Sequence, residues 1–294
     1  MTAPGGAVAS RVAGAPISWG VCEVPGWGHQ LAPDRVLAEM SGLGLAATEL
    51  GPDGFLPADP LAAADLLAAH GLRAVGGFVP VVLFDPGADP LPGVERVLGH
   101  FVAAGATSLV LAAASGFDGY DARPVLDDAQ WKTLVASLDR IRDAAGERGI
   151  AATLHPHVGT VVETRPEVER VLDGSSIGLT LDTGHLLVGG TDPVALALDA
   201  ADRIAHTHLK DVDVTTAERV RAGELTYHEA VRQGLYRPLG RGDVDIAAIV
   251  RGLESAGYRG WYVMEQDTVL ADEPPPGPPA DVRASLEFLL GVAS

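Results

Sequence analysis

The feature that most constrains this chain is an alternation. Short β-rich apolar runs recur along it, each followed by a longer stretch with helical punctuation. Strands are predicted at residues 15–19, 47–50, 73–79, 108–112, 150–155, 177–182, 204–209 and 261–265. Several are continuously apolar, as strands buried on both faces of a parallel sheet must be. Helices are predicted at 33–41, 60–69, 90–104, 128–148, 166–172, 193–202, 246–256 and 280–290. Pro or Asp often opens them, which suits the first helical turn, and Gly42, Gly71, Gly105, Gly149 and Gly257 stand where left-handed caps are needed.

Eight βα units in 294 residues fit one (β/α)8 TIM barrel spanning 1–294. A doubly wound sheet usually has fewer strands and a Gly-rich phosphate turn after the first, and no such turn follows the first strand here. Two long loops, 211–245 and 267–279, are expected on the C-terminal face, where loops serve as lids or substrate walls. The second carries Glu273-Pro-Pro-Pro-Gly-Pro-Pro279, which reads as a stiff surface connection.

Charge and cysteine usage narrow the function. A net charge of −18 repels phosphate backbones and anionic lipid, so no nucleic-acid or membrane partner is expected. Cys22 is the single cysteine; no intrachain disulfide can form, and a reducing, cytoplasmic compartment is expected. The first ten residues lack a charged, then apolar, leader pattern, and no run is long and apolar enough to span a bilayer.

In a barrel the reactive side chains project from the C-terminal ends of the strands. Here those ends carry Glu49, then His155-Pro-His157, Asp182-Thr-Gly-His185, His206-Thr-His-Leu-Lys210-Asp211 and Glu265-Gln-Asp267. Alternation along a strand puts His206 and His208 on one face, and His155 and His157 likewise if the strand continues past Pro156. Imidazoles mixed with carboxylates suit one divalent ion, Mn2+ or Co2+ first and Zn2+ or Fe2+ next, rather than Ca2+ or Mg2+. No cysteine stands among them, which argues against a closed structural zinc site.

These residues carry a resemblance. Ile17-Ser-Trp-Gly20, Thr48-Glu-Leu-Gly51, Leu181-Asp-Thr-Gly-His185, His206-Thr-His-Leu-Lys-Asp211 and Met264-Glu-Gln-Asp267 resemble the motifs of the xylose isomerase-like TIM barrel superfamily over nearly the whole chain. His155-Pro-His-Val-Gly-Thr160 is narrower and resembles the inosose dehydratase (2-keto-myo-inositol dehydratase) group. The resemblance implies metal ligands at Asp182, His208 and Glu265. It leaves His155 where sugar epimerases of the superfamily have a ligating glutamate, so the fourth ligand is either His155 or no protein group. It also implies catalytic roles among Glu265, His157, His185 and Lys210, and a substrate side formed by Trp19, Glu49, His157, His185 and Arg241. Arg241, in Leu239-Gly-Arg-Gly-Asp243, either grips a carboxylate or phosphate or pairs with a surface acid. Lys210 either stabilises an enolate or pairs with Asp211 or another acid.

The activity so implied is metal-dependent dehydration of a small neutral keto-polyol through an enediolate. The same intermediate would serve an epimerase or isomerase, or β-elimination from a 3-keto-glycoside. Loss of one of the paired epimerase carboxylates to His155 puts dehydration first. Members of the superfamily are commonly dimers or tetramers.

Overall fold

The computed structural model describes residues 8–275 and 279–292. Residues 276–278 of the proline-rich run lie outside the described residues. The main sheet is all parallel and contains β1 (Val12–Gly14), β2 (Ala47–Thr48), β3 (Arg73–Ala74 with Gly76–Val81), β4 (Ser108–Ala113), β5 (Ala151–Leu154), β6 (Gly178–Asp182), β7 (Ile204–Leu209) and β8 (Tyr262–Met264). β1 pairs with both β2 and β8. β3 is interrupted at Val75, but the ladder is not: the Val75 N–H donates to Thr48 O at 3.0 Å, and its carbonyl accepts from Thr107 and Ser108 at 3.1 and 3.0 Å. The sheet therefore closes on itself as the predicted (β/α)8 barrel, with no free edge to protect.

Helices cover the barrel through apolar stripes at helical spacing. Ile246–Ser255 buries Ile246, Ile249, Val250 and Leu253, and the Asp245 side chain caps it by accepting from Ala248 N at 2.8 Å. Those side chains join one large apolar cluster between strands and helices. A second, smaller set, Ala13, Ala15, Ala47, Val75 and Val263, comes from the strands and the residues flanking them.

Two predicted segments differ. The first strand ends at Gly14, and Pro16–Trp19 is a 3-10 turn instead. Pro16 suits the first position of such a turn, and Gly20 closes it in the left-handed region, at φ 80°, where a side chain would be strained. The segment predicted as the loop 211–245 is structured. Asp211–Val212 and Tyr236–Arg237 pair as an antiparallel ribbon, and two helices, Val214–Arg221 and Tyr227–Arg232, lie between them. Among the described residues no helix is long and apolar enough to cross a membrane.

Candidate active site

β6 and β7 set the register of the site. Asp182, the last residue of β6, pairs directly with His208 on β7. One Asp182 oxygen, Oδ1, caps the following helix Thr183–Val188 by accepting from Gly184 N at 2.9 Å and His185 N at 2.8 Å. The other, Oδ2, faces His155 Nε2 at 3.1 Å, His208 Nδ1 at 3.5 Å and Lys210 Nζ at 3.3 Å. The Asp-Thr-Gly-His sequence thus has a local cause at each place. Thr183 Oγ1 donates to Lys210 O at 2.6 Å and accepts from Lys210 N at 2.8 Å. A Cβ on Gly184 would come within 2.6 Å of Tyr236 and 2.7 Å of Lys210.

Glu265 follows β8 and places Oε2 3.2 Å from His208 Nδ1 and 3.0 Å from Lys210 Nζ. Lys210 also lies 2.8 Å from Asp267 Oδ1 and 2.9 Å from His185 Nε2. Burial alone would lower the Lys210 pKa, but Asp182, Asp267 and Glu265 together hold it well above the ordinary lysine value. Lys210 is therefore an ammonium, and its partners are these three carboxylates. Asp211 is engaged elsewhere: Oδ2 accepts from Gly240 N and Gly242 N at 2.8 and 2.9 Å, and Oδ1 from Val244 N at 3.0 Å.

The histidines divide by what they face. His157 donates from Nδ1 to Val158 O at 2.7 Å, since a carbonyl only accepts, which leaves Nε2 as the lone-pair nitrogen. Burial, then the neighbouring His155 and Lys210, push its pKa well below the usual histidine range. His157 lines a cavity of about 690 Å³ together with Glu49, His155, His208, Lys210 and Glu265. His185 does not line that cavity. It is buried behind His157, ring centroids 3.6 Å apart, and burial, then His157 and Lys210, keep it neutral.

The donor set can be tested against a divalent ion. His208 Nδ1 and His155 Nδ1 are buried without a hydrogen-bond partner. His155, Asp182 and His208 bring ligand atoms within 4.8 Å of one another, and Glu265 Oε2 stands 3.2 Å from His208 Nδ1. Two imidazoles and two carboxylates from four successive strands fit a transition-metal ion, and an orphaned imidazole nitrogen beside two carboxylate oxygens is otherwise costly. Glu49, His206 and His208 form a second such group.

Two residues expected on the substrate side lie elsewhere. Trp19 is buried, and its Nε1 donates to Glu39 Oε2 at 2.9 Å; the 3-10 turn directs the indole to the helix Pro33–Gly42, beside a separate cleft. Arg241 is exposed at the tip of the Gly-Arg-Gly turn, whose backbone wraps the Asp211 carboxylate. Neither lines the cavity. Conversely, Asp267, which stood among the strand-end residues without a role, joins the site with Tyr227 and Tyr236, which the sequence did not single out. Tyr227 donates to Asp267 Oδ2 at 2.6 Å and shares a 2.8 Å hydrogen bond with Tyr236. A legible signal existed: Asp267 lies two residues beyond Glu265, and Thr226…Glu229 is a helix-start signature inside the supposed loop.

Barrel, strand-end histidines and carboxylates define a class, and the family comparison agrees: the chain belongs to the xylose isomerase-like TIM barrel family, whose model matches residues 37–291. Within it, the chain is 34% identical over 268 residues to the rhizopine catabolism protein MocC of Rhizobium meliloti, covering 87% of this chain and 81% of that protein. It is 33% identical over 276 residues to inosose dehydratase of Geobacillus kaustophilus, covering 89% of each. Among solved structures, IOLI protein with a bound zinc atom superposes with a TM-score of 0.64 at 15% identity, over 96% of this chain and 95% of that one.

Proposed function

We propose that this protein is a divalent-metal-dependent dehydratase acting on a small keto-polyol of the inosose type. The observation that carries the reading is His157: a neutral imidazole, tautomer set by Val158 O, at the wall of the cavity that also exposes the Lys210 ammonium. Similarity to inosose dehydratase over most of both chains supports it.

Elimination of water from a keto-polyol needs a base for the α-proton, positive charge for the carbonyl oxygen and an acid for the departing β-hydroxyl. His157 Nε2 takes the α-proton. The C–H electron pair moves into the enolate, whose oxygen the Lys210 ammonium stabilises. Collapse of the enolate forms the C=C bond and breaks the β C–O bond, and the proton now on His157 leaves with that oxygen as water. His185 backs the His157 ring and holds Lys210 by a 2.9 Å contact. His155, Asp182, His208 and Glu265 would hold the metal ion, which supplies Lewis-acid charge beside the substrate oxygens when bound.

The test is incubation of metal-loaded protein with a panel of keto-inositols and ketoses in deuterated water, followed by NMR. Loss of water with a new unsaturated ketone or dione is expected. Deuterium uptake with an unchanged formula would instead make the enzyme an epimerase or isomerase. No exchange with any substrate would sink the enolate chemistry altogether.

A further inference from the structure

Glu49 is buried, and one of its oxygens is shared. Glu49 Oε1 lies 2.9 Å from His206 Nε2 and 3.0 Å from His208 Nε2. Both histidines come from the same face of β7, and Glu49 comes from the end of β2 across the barrel mouth. Set between two ring nitrogens at these distances, Glu49 Oε1 serves as a carboxylate acceptor to both. Each Nε2 must then carry a hydrogen. His208 Nδ1, the opposite ring nitrogen, is the buried, unpartnered atom that faces Glu265 Oε2 at 3.2 Å and Asp182 Oδ2 at 3.5 Å, and a bound metal ion would take the place of any proton there.

We infer that Glu49 is a positioning residue for the metal centre: it fixes His208 in the Nε2–H tautomer and aims Nδ1 at the ligand cluster, while His206 holds Glu49 in place. The arrangement is a carboxylate–histidine pair behind a ligand, a device that sets tautomer and ring orientation and raises ligand basicity. It also decides between the two metal-capable groups. Glu49, His206 and His208 turn Nε2 atoms toward one oxygen already bridged by hydrogens; the group on the other face of His208 has its unpartnered Nδ1 and two carboxylates.

This inference rests on the metal-site part of the proposed function and not on the substrate or the reaction. Its test therefore reads metal and tautomer, and neither depends on turnover. In Glu49→Gln, Zn2+ affinity, measured by competition with a chelating dye, is expected to fall about 10–100-fold. Asp182→Ala should lose the ion outright, and His206→Gln should cost less than Glu49→Gln. Long-range 15N–1H spectra of the zinc-loaded wild type should show His208 protonated on Nε2 with Nδ1 on the ion, and zinc-loaded Glu49→Gln should lose that single pattern. Wild-type affinity and tautomer in Glu49→Gln would overturn the inference. So would complete loss of zinc in both Glu49→Gln and His206→Gln, which would make them ligands themselves. Should Glu49→Gln fail to fold, the zinc-loaded wild-type spectrum alone decides: His208 protonated on Nδ1 with Nε2 on the ion overturns the proposal.

Discussion

His157 and Lys210 make the sharpest claims at the scale of single residues. His157 sits against the rings of Phe78, Tyr120 and His185, with centroids 5.3, 4.5 and 3.6 Å away. His157→Asn keeps a side chain of similar reach but loses the base. Turnover of a keto-inositol is expected to fall roughly 10²–10⁴-fold, with metal content unchanged; parallel loss of the metal would place His157 among the ligands instead. Lys210→Met removes the ammonium that faces Asp182, Glu265 and Asp267 together. Three buried carboxyl groups then face one another with only His155, His208, Tyr227 and two backbone amides to offset them. Unfolding of the metal-free variant by urea should show a loss of about 3–5 kcal/mol. A saturating divalent ion restores part of that loss, because it binds only the folded state. A variant as stable as the wild type without metal would show that the carboxylates tolerate one another.

Elements carry the site, and one of their devices is measurable away from it. Glu167, in the first turn of Arg165–Gly174, accepts from Thr164 N at 2.8 Å and Glu163 N at 3.0 Å through Oε2, and from Arg123 at 2.6 Å through Oε1. It satisfies two orphan amides at a helix start and anchors the loop after β5, which holds His157. Glu167→Ala should lower unfolding free energy by about 1 kcal/mol, read from the urea midpoint at constant slope. At this scale the sequence was legible wherever one physical cause dominated. Short β-rich runs located β4, β6 and β7 to within a residue or so, and β7 alternation put His206 and His208 together. Pro16–Trp19 misled because its residues are buried without being in a strand, and burial is what an apolar run reports. Strand ends supplied the candidates, and the family resemblance picked Asp182, His208 and Glu265 from among them and left His155 open. The partnership of Glu49 with His206 and His208 could not be read there: it spans 157 and 159 positions, and only closure of the barrel brings the two strand ends together. Trp19 and Arg241 lie away from the cavity for a related reason, since a motif gives a residue's address on the chain and a turn decides which way it points.

For the molecule as a whole, so many buried imidazoles have a thermodynamic consequence. Burial first, with neighbouring positive groups, holds His155, His157 and His185 below the usual histidine range, and burial holds His206 there against the pull of Glu49. In the unfolded chain the same groups titrate at about 6.5. Below that pH the unfolded state binds protons that the folded state refuses, so stability falls as pH falls. His208 has the opposite sign. Burial would lower it, but Glu265 and Glu49 raise it well above the ordinary value. Its contribution is complete below about 6.5 and is lost as pH rises through the raised value. Asp182 and Glu265, held low by Lys210, His208 and their neighbours against the upward push of burial, keep their contribution until pH falls through the carboxylate range. Stability of the metal-free protein is therefore expected to peak close to the ordinary histidine pKa and to decline on the acid side from about pH 6.5, each refused proton costing up to about 1.4 kcal/mol per pH unit. Urea unfolding from about pH 8 to about pH 5 would show it. Ionic strength must be held constant, because a chain of net charge −18 is also stabilised by screening of its self-repulsion. A flat curve down to the carboxylate range would mean that these imidazoles take up protons inside the fold, and His157 would then no longer be a neutral base at the cavity wall.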